Sequence, residues 1–341
     1  MTRFDPNCVY LIREGHIMRQ LFCVFVALLC ANAGAGVGRW NDVKQAKTID
    51  PKKSAALFVG VRDFPWDKTL TTVPYAVDDA VDLAYELTME QSQVLVDAKR
   101  VVLALSGEPQ KVESQEKLRK LVAAGATPRK AMTEDILDVL ESESRSVPSN
   151  GILIVAFATH GVSDEGTQYL LTASSTLDHY HRTALTDAEI RETISRNGVA
   201  RSLIFIDACR ERLLKDRRSG DVDPRSVASF VHVFNKITGQ VVFSAAPGGG
   251  YAYDDEERRN GVFTATVIEG LRCGARTNAS GFITVDALHS YVEAHVLAWL
   301  QAHKNRDAKT ATQWTSEGNS KELPLSICVS RNAGASRPPA R

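Results

Sequence analysis

The sequence predicts an α/β fold of three layers, a mostly parallel sheet of about six strands with helices on both faces. Three observations predict it. Residues 151–159 (GILIVAFAT) and 203–206 (LIFI) are too uniformly apolar for half-exposed strands, and read as buried strands of a parallel sheet. Such runs alternate along the chain with stretches whose apolar residues recur at helical spacing. Finally, both central runs end in residues able to do chemistry, Thr159-His160-Gly161 and Asp207-Ala208-Cys209-Arg210. Open α/β sheets bind ligands just beyond the carboxyl ends of their strands, so adjacent strands would bring His160 and Cys209 to one rim.

Taken in order, residues 54–62 (SAALFVGVR) form the first strand. Pro74 opens a helix through about Met89, with Val77, Val81, Ala84 and Leu87 on one face. Residues 99–105 are a second strand, closed by Ser-Gly-Glu-Pro. Thr127-Pro128 starts another helix, with Ala131, Ile136, Leu137 and Leu140 as its apolar stripe. After the histidine strand, residues 185–197 form a helix capped by Thr186, with Glu189 completing a capping box. The cysteine strand is the fourth and residues 240–246 the fifth. It ends in Pro247-Gly-Gly-Gly, which resembles neither a phosphate loop nor a helix entry. Residues 261–273 and 284–302 are helices, and residues 323–329 a last, edge strand. Residues 211–226, containing ERLLKDRRSGDVDP, read as an exposed loop. No internal repeat is visible.

Composition bounds the function. Hydrophobic residues at 44% and charged residues at 24% are ordinary globular values that allow a large core. The formal net charge of zero gives no reason to expect a nucleic-acid partner or an anionic membrane. There is no Walker A sequence, no Rossmann glycine fingerprint and no zinc-ligand spacing, so no cofactor and no metal is expected.

Residues 1–35 read as an upstream segment plus a secretory signal peptide. Met18-Arg19 is a second plausible start, followed by the apolar run 21–30 and small residues at Ala31, Ala33 and Ala35. A run of that length is too short to span a bilayer, so no stable membrane insertion is expected after cleavage. The competing reading is an N-terminal core strand. Export places the folded domain, residues 50–330, in the periplasm or outside the cell, with residues 331–341 a disordered tail. Cleavage would remove Cys8, Cys23 and Cys30 and leave Cys209, Cys273 and Cys328. An odd count in an oxidising compartment suggests one disulfide and one free thiol, with Cys273 paired to Cys328 and Cys209 free. Three unpaired buried cysteines is the open alternative.

These residues resemble the caspase/metacaspase clan of cysteine peptidases, in particular its bacterial metacaspase-type branch. The caspase signature is Gln-Ala-Cys-(Arg/Gln/Gly)-Gly with a histidine about 50 residues upstream. Here Asp207-Ala208-Cys209-Arg210 stands with His160 forty-nine residues before the cysteine. Other matching features follow in order: the ALFVGV strand, Asp78-Asp79-Ala80, Tyr169-Leu170-Leu171, Ser244-Ala245, Gly261-Val262-Phe263-Thr264 and Glu269-Gly270-Leu271. The resemblance spans roughly residues 54–329 and implies a caspase-like three-layer sandwich acting on peptide or protein substrates.

It departs from the family in two places. Ala158-Thr159-His160-Gly161 stands where Ser-Gly-His-Gly is common. Thr172-Ala173-Ser174-Ser175 stands where metacaspases carry an aspartate, which weakens the carry-over of calcium dependence, although Asp164, Glu165 and Asp178 lie nearby.

The chemistry follows from the residue types. Peptide hydrolysis needs a nucleophile stronger than water and a proton donor for the leaving amine. Cys209 would attack the carbonyl, with His160 as general base or acid. The resemblance implies backbone N–H groups of Gly161 and Cys209 as oxyanion donors. It also implies Asp79 and Asp207 as an acidic S1 pocket for Arg or Lys at P1. Singly, each has a structural reading: core residues for Cys209 and His160, a helix N-terminal carboxylate for Asp79, a loop acceptor for Asp207. Lys215-Asp216-Arg217-Arg218 would be a self-processing site for such an enzyme, as Asp221 and Asp223 would be for an aspartate-preferring one. The alternatives in function are a catalytically inactive peptide- or protein-binding module, and another cysteine acyl-transfer enzyme such as an amidase.

Overall fold

The computed structural model describes residues 49–90, 94–164, 166–210, 239–245, 252–316 and 318–328, the side chains of residues 209, 210, 318 and 319 excepted. The expected signal segment, the basic loop with Lys215-Asp216-Arg217-Arg218, the Pro247 glycine loop and the 331–341 tail lie outside the described residues.

The chain runs β1 (Ala55–Val61), α1 (Ala76–Met89), β2 (Val101–Ser106), α2 (Val112–Ala123), β3 (Thr127–Lys130), α3 (Thr133–Ser146) and β4 (Leu153–Asp164). It continues through β5 (Thr167–Leu170), β6 (Leu185–Thr186), α4 (Asp187–Arg196), β7 (Ser202–Arg210) and β8 (Gln240–Ser244). The last part holds β9 (Asp254–Asp255), β10 (Asn260–Gly261), α5 (Val262–Glu269), β11 (Phe282–Thr284), α6 (Val285–His303), β12 (Gln313–Ser316) and β13 (Pro324–Ile327).

The main sheet has the order β12-β8-β7-β4-β1-β2-β3, with β5 and β6 attached to β4. The six strands from β8 to β3 are mutually parallel, as expected, and β12 adds an antiparallel edge. Strand alternation divides the core into two layers. Ala56, Phe58, Leu103, Ile154, Leu203, Phe205 and Phe243 face α1, α2, α5 and α6. Leu57, Val59, Val155, Phe157, Ile204 and Ile206 face α3 and α4. Each Val, Leu, Ile or Phe among them contributes about 1.5–3 kcal/mol by burial.

Two local features position the site. Gly60 lets the start of α1 lie directly on β1, since a Cβ there would meet Ala76 O at 2.7 Å and Val77 Cα at 2.9 Å. The expected capping box at Thr186 and Glu189 is formed and starts α4 cleanly.

Three expectations are corrected. Thr127-Pro128 does not open a helix: Thr127–Lys130 is the exposed edge strand β3, parallel to β2, and an edge tolerates the missing Pro128 N–H. The helix begins only at Thr133. The 261–273 helix ends at Glu269 and passes into a wider turn, in which Cys273 has φ 72°. The last strand does not close the main sheet, because β13 pairs antiparallel with β11 in a separate ribbon while β12 takes the edge. Helix α2 gave no sequence signal, as only Ser114 and Leu121 of it are buried.

Cys273 and Cys328 form a disulfide with Cα atoms 5.7 Å apart, tying that turn to the segment after β13.

Candidate active site

Strands β4 and β7 pair in parallel over nine consecutive rungs, from Leu153↔Ser202 to Gly161↔Arg210. His160 and Cys209 face each other across the eighth. The rim location therefore follows from register: both strands start level, and each carries its functional residue the same distance along.

His160 is buried in β4 and held on two sides by the loop between β1 and α1. Its ring stacks on Phe64, centroids 5.3 Å apart and planes inclined by 19°. Its Nε2 lies 2.9 Å from the Thr71 carbonyl oxygen and 3.2 Å from Thr71 Oγ1. A carbonyl only accepts, so Nε2 carries the proton, and in the neutral ring the basic lone pair belongs to Nδ1. That is the tautomer a general base needs once one nitrogen is anchored.

The departures around the histidine have structural explanations. Thr159 turns its hydroxyl into the protein, where Oγ1 donates to the Leu171 carbonyl at 2.6 Å, while Leu171 N donates to the His160 carbonyl at 2.9 Å. Together they staple β4 to the segment that follows β5. Thr172, Ser174 and Ser175 form a hydroxyl knot with Thr133 and the Thr183 carbonyl: Thr133 Oγ1 lies 2.7 Å from Thr172 Oγ1, and Ser175 Oγ donates to Thr183 O at 3.1 Å. Asp164 accepts from Tyr180 Oη at 2.7 Å and faces His181 Nε2 at 3.4 Å; Glu165 lies outside the described residues. Among the described residues, no group of three or more His, Cys, Asp or Glu is arranged to hold a metal ion.

Asp79 and Asp207, far apart in sequence, converge on the β10–α5 junction. Asp79, in the first turn of α1, is buried and accepts from Gly261 N at 3.0 and 3.1 Å and from Asn260 Nδ2 at 2.8 Å. Asp207, two residues before the cysteine, accepts from Thr264 Oγ1 at 2.7 Å and Thr264 N at 3.3 Å. It is enclosed by protein yet keeps a strip of accessible surface.

Burial first, and then the neighbouring Asp254 charge, pushes Asp207 up to about 6 against the pull of its Thr264 bonds. Burial, followed by the charges of Asp207 and Asp254, pushes Asp79 well above the carboxylate range, opposed by Asn260 and Gly261. Two carboxylates that no cation contacts among the described residues suit a cationic ligand. Both carboxylates border a crevice lined by Val59, Ala80, Ala158 and Thr264.

Sequence reasoning missed Phe64, Thr71, Asn260 and Asp254. Thr71 acts through its carbonyl, which every residue has, so no side-chain pattern marks it. Asn260 directly precedes the matched Gly261-Val262-Phe263-Thr264 stretch, and that adjacency was the one available signal.

Six parallel strands covered on both faces thus carry His160 and Cys209 on one rung at the sheet's rim. The chain belongs to the caspase-domain family, whose profile matches residues 53–324. Among solved structures it is similar to the crystal structure of caspase-1 from Spodoptera frugiperda, at 15% identity and a TM-score of 0.48, covering 80% of this chain and 89% of that one. No curated protein matches. The family acts on peptide or protein substrates, and among the described residues no helix is long and apolar enough to cross a membrane.

Proposed function

We propose that this protein is an exported, metacaspase-like cysteine endopeptidase that cleaves after Arg or Lys and needs no bound cofactor. Cys209 attacks the scissile carbonyl, forming an acyl-enzyme as the C–N bond breaks. His160 Nδ1 takes the thiol proton and returns it to the leaving amine. Backbone N–H groups of Gly161 and Cys209 stabilise the oxyanion, and water then hydrolyses the thioester. Asp79 and Asp207 receive the P1 cation.

The observation that carries this reading is the His160↔Cys209 rung, together with an Nε2 anchored on Thr71 so that Nδ1 remains the base. Convergence of Asp79 and Asp207 supports the P1 preference. Export rests on the 1–35 segment and is supported by the Cys273–Cys328 disulfide, a bond typical of oxidising compartments.

The test is hydrolysis of fluorogenic peptides with Arg, Lys or Asp at P1, by protein starting at Gly36, beside Cys209→Ala, with and without calcium. Turnover after Arg or Lys that vanishes in the variant is expected. Turnover only after Asp would remove the pocket assignment, and no turnover from folded protein would favour a binding module.

A further inference from the structure

Behind the acidic pair runs a buried polar chain that the proposed chemistry does not use. The Lys111 ammonium, just before α2, donates to Asp82 Oδ2 and to Asn260 Oδ1. Asn260 Nδ2 in turn donates to Asp79 Oδ1 at 2.8 Å and Asp82 Oδ2 at 3.2 Å. All four side chains are buried. An ammonium has donors only, so Lys111 forces the amide oxygen of Asn260 toward itself and the NH2 toward Asp79. The flipped amide would set its oxygen against two carboxylates.

We propose that Lys111, acting through the side-chain amide of Asn260, is a positioning residue that favours the ionised form of Asp79 and holds it in place for a P1 cation. This rests on the reading of Asp79 as part of the P1 pocket. Without the amide, Asp79 would keep the Gly261 N–H against two like charges, Asp207 from β7 and Asp254 from β9, which both disfavour its ionised form. Its chain neighbour Asp78 is occupied by Gln110 N at 2.9 Å and Lys111 N at 2.8 Å. Asp82 has Lys117 Nζ at 2.9 Å and Ser114 Oγ at 2.8 Å. Among the described residues the one cation bonded to Asn260 is Lys111, and its influence reaches Asp79 as an oriented N–H rather than an ion pair. A charge-assisted hydrogen bond of this kind is stronger than a neutral one.

The arrangement also makes the test clean. Lys111→Met leaves Asp82 paired with Lys117 and Ser114, and keeps the Lys111 backbone bond to Asp78. The experiment is a pH titration of the Asp79 carboxyl carbon by NMR in the full chain, assigned by Asp79→Asn, alongside the pH profile for a P1-Arg peptide. In Lys111→Met and Asn260→Leu the Asp79 midpoint should rise by roughly one to two pH units. Lys111→Arg, with another donor-only head, should leave it where the unmodified chain has it. The acid limb for P1-Arg hydrolysis should move up with the midpoint, carried by KM rather than kcat. An unmoved midpoint in Lys111→Met and Asn260→Leu, or equal shifts in Lys111→Met and Lys111→Arg, would overturn the proposal. Failure of the unmodified chain to cleave after Arg or Lys would sink the pocket reading instead, and the titration would still decide whether Lys111 governs Asp79.

Discussion

Asp79 and Asp207 close on one point of the backbone. A Cβ built on Gly261 would lie 2.4 Å from Asp207 Oδ2 and 3.1 Å from Asp79 Oδ2. The two carboxylates come from a helix and a strand on either side of this glycine, and its lack of a side chain is what lets both reach the β10–α5 junction. The acidic site is thus a property of three separate elements, and its response to substitution and to pH follows from that.

Replacing Gly261 by alanine should therefore act on the pocket. The backbone there has φ −57°, so the methyl is tolerated conformationally and its conflict is with the carboxylates. Displacing Asp207 should cost about 1–3 kcal/mol of stability and raise KM for P1-Arg peptides by roughly tenfold or more. Thermal melts and steady-state kinetics read the two effects separately.

The pH dependence follows from Asp207, whose value of about 6 lies above the ordinary 3.8. A carboxyl raised on folding favours the protonated native state. Its stabilisation is full below about pH 4 and is lost as pH rises through about 6. Asp207→Asn should accordingly melt at a higher temperature than the unmodified protein at pH 7.5, with the gap closing toward pH 4. A constant gap across that range would contradict this assignment. Hydrolysis after Arg should show an acid limb near the same pH, because the P1 cation needs the ionised form.

Cys209→Ala should lower peptide turnover by about 10³-fold or more, in keeping with the loss of a nucleophile from a catalytic unit. Iodoacetamide should label the unmodified protein at Cys209 at neutral pH. Phe64→Ala, which removes the surface on which His160 stacks, should slow that labelling while leaving the cysteine in place. An unchanged alkylation rate would show that the stack does not hold the imidazole.

The Cys273–Cys328 bond closes a loop with a sequence separation of 55. On chain-entropy grounds, loss of such a link removes about 4 kcal/mol. The double variant Cys273→Ala/Cys328→Ala should show this as a drop in the urea midpoint. Alkylation of the unmodified protein without reductant should label Cys209 and neither partner of the disulfide.

Much of the frame was legible in the sequence because its signals are local. Continuous branched runs mark the buried strands β1, β4 and β7, helical spacing marks α1, and Thr186 with Glu189 marks the start of α4. These depend on neighbours within a few residues; the histidine strand, however, runs past the expected end at Thr159 to Asp164, because its last residues pair with β5. The misreadings also have local causes. Thr127–Lys130 is exposed at every position, so it shows no alternation and only its pairing with β2 makes it a strand.

The site's inner workings were not legible, because they are made through space. Thr71 reaches His160 across 89 residues through a carbonyl, and Lys111 reaches Asn260 across 149. The orientation of the Asn260 amide depends on a donor-only neighbour that no spacing rule predicts. The sequence alone thus determined the layered sheet and the two buried strands that carry the histidine and the cysteine, since periodicity and capping are set by adjacent residues. The tertiary structure alone decided which nitrogen of His160 is anchored and which carboxylates meet at Gly261, since hydrogen bonding and charge act between whatever groups the fold brings within a few ångströms.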